Sequence, residues 1–235
     1  MSSDKKDGLD MAGFGKIAKA IPKEVYVRST ATLIDTFTKL TAPITATTDG
    51  FGRYLKQKFD NMVEVEKALA TYSVEKAIAK AEEKARKRGI SLIAPSHPKS
   101  FIKSIEETSK ETDPLLHEMW TNLLATQITE PRFHPHFVEI LPHFSPAEAR
   151  LLASLLPREE IGQNGGGYLY FTYDSFKTWV FKFGDREIKE WNYSCILLCE
   201  FKFADVLAPK DGDYDKDTTF LYRTKSGAAF LEAVS

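Results

Sequence analysis

The longest regular pattern of apolar and polar positions runs from Arg53 to Arg88, with no proline or glycine inside it. Leu55, Met62 and Leu69 repeat every seven residues, which predicts one long helix with a heptad seam near its start. The second half of the segment is rich in alanine and carries charges at the spacing of helical salt bridges. Gly89 follows a last turn of lysine and arginine, so we expect the helix to end there.

The chain then breaks at two prolines and continues as a series of shorter helical patterns. Helices are predicted at 98–109 and 113–129. Asp113, His134 and Ser145 each precede a proline, which is the arrangement of an N-cap followed by proline at the first helical position. Glu148 also occupies the capping-box position after Ser145, and this predicts a further helix that extends to Leu156.

The pattern becomes mixed after Pro157. Residues 168–173 and 218–224 alternate like β-strands, whereas 174–183, 185–207 and a last segment from Ser226 are predicted to be helical. Helices, a strand pair around an acidic loop and a final helix are typical of a winged-helix unit. The predicted fold is therefore mainly α with a smaller α+β C-terminal part. A long helix and a helical bundle come first, and a winged-helix-like unit follows them.

These elements divide the chain into four segments. The predicted segments are a disordered tail at 1–10, an apolar, amphipathic helical segment at 11–52, the long helix and helical bundle at 53–144, and a winged-helix-like α+β domain at 145–235. A length of 235 residues suits two small domains better than one.

The composition is that of a cytoplasmic protein. The net charge is -1 and charged residues make up 28% of the chain, as is normal for a soluble domain. Cys195 and Cys199 lie in one apolar run at a spacing that favours burial on a helix over a structural disulfide. The sequence shows neither a secretory signal nor a run of about 18 apolar residues. We therefore expect a cytoplasmic location, with peripheral contact to the inner membrane as an open alternative.

The segment 11–52 has two interpretations. In the first, it forms helices, one of them at 23–40, that pack on the long helix. In the second, it is an amphipathic element in which apolar residues stand beside lysines that suit an anionic membrane surface. The residues of this expected membrane contact are Phe14, Lys16, Ile17, Lys19 and Ile21.

Three histidines within ten residues, His134, His136 and His143, raise the question of a metal site. His117 begins the run HEMWT, but Thr121 takes the place of the second histidine in the zinc-protease motif H-E-x-x-H. A catalytic zinc needs three converging protein ligands, whereas His134 and His136 flank a proline at a helix start. We therefore assign no catalytic, cofactor-binding or metal-binding residue and expect no cofactor. A metal-dependent hydrolase that uses the histidine-rich region is the alternative.

A winged-helix unit also raises the question of DNA binding. From Leu141 onward the chain carries 11 basic against 14 acidic residues, and the loop that would form the wing contains four aspartates. The phosphates of duplex DNA would repel such a wing. A winged-helix DNA-binding regulator is therefore a further alternative that the charge pattern disfavours, and nucleic acid is not an expected partner.

Eight aromatic residues fall within one stretch of sixteen, which favours a surface that a partner covers. The predicted partner surface consists of Tyr168, Tyr170, Trp179 and Phe183. The heptad seam of Leu55, Met62 and Leu69 is the expected contact of a homo-oligomer.

The middle of the chain contains three short motifs in series: LLA, then HPxFVEIL, then SPxEA. A fourth motif, TxxGxxFL, lies near the end. This series resembles the bacterial abortive-infection alpha family, which is also catalogued as a domain of unknown function. The matching residues, taken as structural, are Leu123, Leu124, His134, Pro135, Phe137, Glu139, Ser145, Pro146, Glu148, Gly227 and Phe230. Phe144 stands where the family has leucine.

The resemblance implies a role in bacterial anti-phage defence, with no established catalytic residue and no known cofactor. We therefore expect a non-enzymatic component of an abortive-infection-type defence system. It would act through protein-protein contacts and, in one interpretation, at a membrane surface. Because defence components usually act in pairs, we expect a protein partner encoded nearby in a defence operon.

Overall fold

The computed structural model describes the chain over residues 57–58, 60–160, 168–172, 179–183, 186–190, 192–207 and 218–235. These residues form two compact units. The first unit contains the described residues up to Pro142 together with Val234 and Ser235, and the second contains the described residues of His143–Ala233. The chain is mainly helical, with an antiparallel sheet in its C-terminal part, as the sequence predicts.

Among its described residues, the first unit has four α-helices. They are α1 (Glu64–Arg88), α2 (Pro98–Thr108), α3 (Pro114–Gln127) and the short α4 (His136–Ile140). The predicted N-cap of α3 is confirmed, because the Asp113 carboxylate accepts hydrogen bonds from the amides of Leu115 and Leu116. The predicted end of α1 is also confirmed, since Gly89 takes the left-handed conformation at φ 66° and donates to the Ala85 carbonyl oxygen.

The prediction of an unbroken helix from Arg53 is wrong. Helix α1 begins at Glu64, after a turn at 61–63 in which Val63 is extended. Leu55 lies outside the described residues, Met62 lies in the turn, and Leu69 is buried in the core of its own unit. The three positions therefore do not form one helical seam, and Leu69 offers no surface to a second chain. Self-association through them stays a prediction.

Helix α3 is the centre of the first unit. Almost every side chain from Leu116 to Gln127 is buried, because α1 and α2 both pack on this helix. Alanines such as Ala77 and Ala81 on α1 permit this close approach. The buried threonines of α3 satisfy their hydroxyls locally: Thr121 donates to the His117 carbonyl oxygen at 2.9 Å, four residues back.

The described residues of the second unit form three α-helices and a five-stranded antiparallel sheet. The helices are α5 (Pro146–Ser154), α6 (Asn192–Glu200) and α7 (Lys225–Ala233). The strands are β1 (Tyr168–Thr172), β2 (Trp179–Phe183), β3 (Arg186–Glu190), β4 (Ala204–Leu207) and β5 (Thr218–Arg223), in the order β3-β2-β1-β5-β4. The predicted strands at 168–173 and 218–224 and the predicted helix near Ser226 are confirmed.

The helices predicted at 174–183 and 185–207 are wrong where strands β2, β3 and β4 lie. Among the described residues of these two segments, α6 is helical. Phe183 pairs with Arg186, so just two residues, a glycine and an aspartate, separate β2 from β3. A Gly-Asp pair between two runs that alternate with a period of two is a hairpin signal. The winged-helix assignment is not confirmed and stays a prediction.

The end of α6 places an aromatic cluster in the core of the second unit. Lys202 adopts a left-handed φ of 60°, and the amides of Lys202 and Phe203 donate to the carbonyl oxygens of Cys199 and Leu198, both at 2.9 Å. This turn directs Phe203 against Phe230 of α7, with 4.6 Å between the ring centroids. Phe144, the departure from the family's leucine, packs on the same rings.

Candidate functional site

The histidines of the HPHFVEILPH run do not converge. His134, His136 and His143 are all exposed, and the His134 Nδ1 atom accepts a hydrogen bond from the His136 amide at 3.2 Å. The His143 ring lies on Phe201, 5.7 Å between centroids. Within the described part of the chain, no group of three or more His, Cys, Asp or Glu residues could hold a metal ion.

His117 is the one histidine of this set that lies in a core. It is 4% exposed, and its Nε2 atom is 3.0 Å from Ser73 Oγ on α1. Burial, together with the smaller effect of the nearby Lys76 charge, lowers the pKa of His117 from 6.5 to about 4. The imidazole is therefore neutral at physiological pH.

The Ser73 and His117 pair is not arranged as a catalytic dyad. The single hydroxyl proton of Ser73 goes to the Leu69 carbonyl oxygen at 2.7 Å, so Ser73 Oγ accepts from the Nε2–H of His117. A serine nucleophile needs the opposite direction, with the imidazole taking the hydroxyl proton. Both side chains are also sealed from solvent. The pair therefore joins α1 to α3 and does not activate a nucleophile.

A second polar group joins the same two helices at the surface. We call Lys76, Lys80, Lys84, Glu118 and Asn122 the α1–α3 polar strip. Lys76 Nζ lies 2.5 Å from one oxygen of the Glu118 carboxylate, and Lys80 Nζ contacts the other. Lys80 also donates to Asn122 Oδ1 at 2.5 Å. Burial alone would raise the pKa of Glu118, but the hydrogen bonds from the two lysines hold it below its ordinary value.

The strip extends to the two residues that follow α7. Asn122 Nδ2 donates to the Val234 carbonyl oxygen at 2.9 Å, and Lys84 Nζ donates to the Ser235 carbonyl oxygen at 2.7 Å. Val234 itself is buried. Further along α1, Arg88 forms an ion pair with Glu130.

The α1–α3 polar strip was not predicted, although the sequence contains a signal for it. Positions 76, 80, 84 and 88 are all basic and four apart, so they form a single row along one side of α1. Their spacing alone predicts salt bridges within one helix. In the structure, Lys76 and Lys80 pair with Glu118 on α3, and Lys87 with Glu83 is a pair within α1.

The family-motif residues belong mainly to the cores and the helix starts. The residues concerned are Leu123, Leu124, His134, Pro135, Phe137, Glu139, Ser145, Pro146, Glu148, Gly227 and Phe230. Leu123 and Leu124 of α3 and Phe230 of α7 have no exposed surface. Glu139 lies at the surface, where it pairs with Lys103 of α2.

Glu148 is the most constrained of the polar motif residues. Its Oε2 atom accepts from the Ser145 amide at 2.7 Å and from the Ser145 hydroxyl, which confirms the predicted capping box. Its Oε1 atom accepts from the hydroxyl of Ser194 on α6. Burial alone would raise the pKa of this carboxyl, but the bonds from Ser145 and Ser194 hold it below its ordinary value. Ser194 was not predicted.

Glu148→Gln is expected to lower the free energy of unfolding by about 2 kcal/mol. The three donors around Glu148 need an acceptor on both oxygens, and an amide puts an NH2 group against one of them. Urea unfolding followed by circular dichroism measures the change. Glu139→Gln is the matched control, since an exposed ion pair contributes about 0.5 kcal/mol. Equal losses in the two variants would contradict the role given to Glu148.

The cysteines of α6 are not arranged for reaction. Cys195 is buried, and burial raises the pKa of Cys199 to about 11, so that this thiol stays protonated at neutral pH. The thiolate is the form that attacks electrophiles and binds metals. Neither cysteine is therefore a candidate nucleophile.

Two further predicted surfaces consist of residues, or of side chains, that lie outside those the structure describes. The expected membrane contact at Phe14, Lys16, Ile17, Lys19 and Ile21 lies outside the described residues. The backbones of Tyr168, Tyr170, Trp179 and Phe183 lie in β1 and β2, but their side chains are not among those described. No helix in the described ranges is long and apolar enough to cross a bilayer.

Comparison with known proteins supplies the family. Residues 64–187 match the family model described as abortive infection alpha. No curated protein and no solved structure gives a match. The matched region runs from the first residue of α1 into β3 and covers more than half of the chain. The protein therefore belongs to the abortive infection alpha family.

Proposed function

We propose that this protein is a non-enzymatic component of a bacterial abortive-infection defence system and acts through contacts with another protein. Family membership supports the defence role. The placement of the family-motif residues supports action by contact, and this is the observation that carries the proposal. Motif residues such as Leu123, Glu148 and Phe230 hold helices together, and the groups most suited to chemistry, His117, Ser73 and Cys199, are withdrawn from solvent or engaged.

The charges of the first unit support a protein partner over nucleic acid. Three of the four basic residues in the run at 84–88 have partners: Lys87 pairs with Glu83, Arg88 pairs with Glu130, and Lys84 donates to Ser235. Phosphate recognition would have to break these pairs, and each neutralised phosphate requires a free cation. The partner we propose is encoded beside this protein in the same operon.

A plaque assay tests the defence role. A host that carries the gene with its genomic neighbours is challenged with a broad panel of phages, beside a host in which only this gene is deleted. We expect fewer plaques in the first host. At high phage-to-cell ratios its cells should die without releasing a normal burst. Equal plating and equal bursts in the two hosts across the panel would overturn the proposal.

Two variants in the same plaque assay distinguish action through protein contacts from metal-dependent catalysis. A chain with His134→Ala and His136→Ala keeps every core residue, so it should protect as well as the wild type and bind no less metal. Loss of protection together with loss of stoichiometric zinc from the purified protein would favour the metal-dependent hydrolase instead. Glu139→Gln, an exposed change in the family motif, is the control for nonspecific effects of substitution.

A further inference from the structure

Strand β4 forms one edge of the five-stranded sheet: β5 lies on one side of it, and no described strand lies on the other. The register shows where its backbone groups point. Phe203 is opposite Thr224, and its carbonyl oxygen accepts from the Thr224 amide at 3.0 Å. Hydrogen-bonded pairs alternate along an antiparallel ladder, so the N–H and C=O groups of Asp205 point to β5. The N–H and C=O groups of Ala204 and Val206 therefore point to the open edge.

The outward amide of Val206 already has a partner within the chain. It donates to Oδ1 of the preceding residue, Asp205, at 2.8 Å. The Oδ2 atom of the same carboxylate accepts from the Tyr222 hydroxyl at 3.1 Å, because a phenol is protonated at neutral pH. Tyr222 thus holds the carboxylate beside the Val206 amide. The Val206 side chain itself is 45% exposed, so the edge is accessible apart from this cap.

An edge with this register is complementary to a second copy of itself. If two β4 strands run antiparallel with Asp205 at the centre, Ala204 of each copy lies opposite Val206 of the other. Each of these residues directs its N–H and its C=O outward, so every one of these groups finds a partner about a twofold axis. The same register places the two Asp205 carboxylates directly opposite each other, where like charges repel.

We propose that the β4 edge is a self-association surface for a second copy of this chain and that Asp205 keeps it closed. The carboxylate opposes the second copy in two ways. It occupies the Val206 amide that the copy would bind, and it repels the matching carboxylate. Charged side chains on edge strands are a common protection against such pairing. This inference does not depend on the proposed defence function.

Sedimentation velocity of the full chain, over a range of protein concentrations, tests the role of Asp205. Asp205→Ala removes both the cap and the charge. Its dissociation constant for self-association should fall about thirtyfold below that of the wild type, because one cap is lost in each copy. Asp205→Asn removes only the charge and keeps an oxygen that accepts from Val206, so it should associate less strongly than Asp205→Ala. Association of Asp205→Ala no stronger than that of the wild type, or equal to that of Asp205→Asn, would overturn the cap.

A proline substitution shows whether the association uses the β4 edge. Val206→Pro, added to Asp205→Ala, removes the outward N–H that a second copy would bind. The ladder with β5 stays intact, because the Val206 amide takes no part in it. The double variant should return to the association of the wild type. If it associates as strongly as Asp205→Ala, the contact lies elsewhere and the β4 edge is not the surface.

Two controls distinguish strand pairing from partial unfolding. Glu148→Gln weakens the same unit far from β4 in the sequence and should associate no more than the wild type. Association as strong as that of Asp205→Ala would attribute the effect to lost stability and overturn the proposal. The second control is amide hydrogen exchange, measured by mass spectrometry on peptides that contain residues 204–207. Exchange in Asp205→Ala should slow as its concentration rises, and exchange that is independent of concentration would overturn pairing at this edge.

Discussion

Gly227→Ala is expected to lower the free energy of unfolding by about 3 kcal/mol, because the added methyl group has no space. An ideal Cβ at this position would lie 2.2 Å from the carbonyl oxygen of Phe203. That carbonyl cannot easily move away, since it accepts the amide of Thr224 at 3.0 Å. The Gly227 amide in turn donates to Thr224 Oγ1 at 3.1 Å, which fixes the first turn of α7. The glycine of the family's final motif therefore permits α7 to pack on the turn after α6.

Gly89→Ala is the matched control for this loss. Gly89 has a left-handed φ of 66°, but nothing lies within 4 Å of a Cβ added there. Alanine at this position costs only backbone strain, about 1 kcal/mol. Urea unfolding of both variants, followed by circular dichroism, measures the difference between a steric clash and a conformational preference. A loss at Gly227 no larger than the loss at Gly89 would contradict the close packing of α7.

The sequence predicts correctly those parts of the fold that depend on residues close together along the chain. Asp113 caps α3 and Ser145 caps α5 because each side chain reaches amides two or three residues ahead. The end of α1 at Gly89 and the strands β1 and β5 are equally local, since a left-handed residue or an alternation with a period of two is visible in a short window.

The wrong predictions of secondary structure fall where contacts between residues far apart in the sequence determine the local conformation. No proline or glycine marks the turn at 61–63, and Met62 instead packs against the helical core of its unit. The sequence predicts a helix where β2 lies because aromatic residues suit either structure, and the pairing of this segment with β1 and β3 decides between them.

The α1–α3 polar strip depends still more strongly on contacts between residues that are far apart in the sequence. Lys80 and Asn122 are 42 positions apart, and Asn122 and Val234 are 112 apart. The row of basic residues on α1 is visible in the sequence. The sequence does not show whether that row faces solvent, another helix or the residues after α7. The histidines are therefore visible as a cluster in the sequence, whereas the α1–α3 polar strip is visible only in the folded chain.

Acid is expected to weaken the fold through His117, by about 3 kcal/mol between pH 6.5 and pH 4. The imidazole is neutral in the folded protein down to a pKa of about 4, whereas in the unfolded chain it takes up a proton near pH 6.5. In this window the unfolded state binds more protons, so the free energy of unfolding falls as the pH falls. The contribution of neutral His117 to the free energy of unfolding is fully present above pH 6.5. Below pH 4 the protonation of His117 causes no further loss.

His117→Gln should remove this slope, because glutamine does not titrate yet can still donate an amide hydrogen to Ser73 Oγ. Chemical unfolding at a series of pH values from 7 to 4 measures it. Glu148 provides the internal comparison. Its carboxyl has a pKa below the ordinary 4.5, so its contribution is present above that pH and is lost as the pH falls through the folded value. The His117→Gln chain should therefore stay level until the pH nears 4.5 and weaken only below it. If it weakens between pH 6.5 and 5 as steeply as the wild type, His117 is not the group that links this fold to pH.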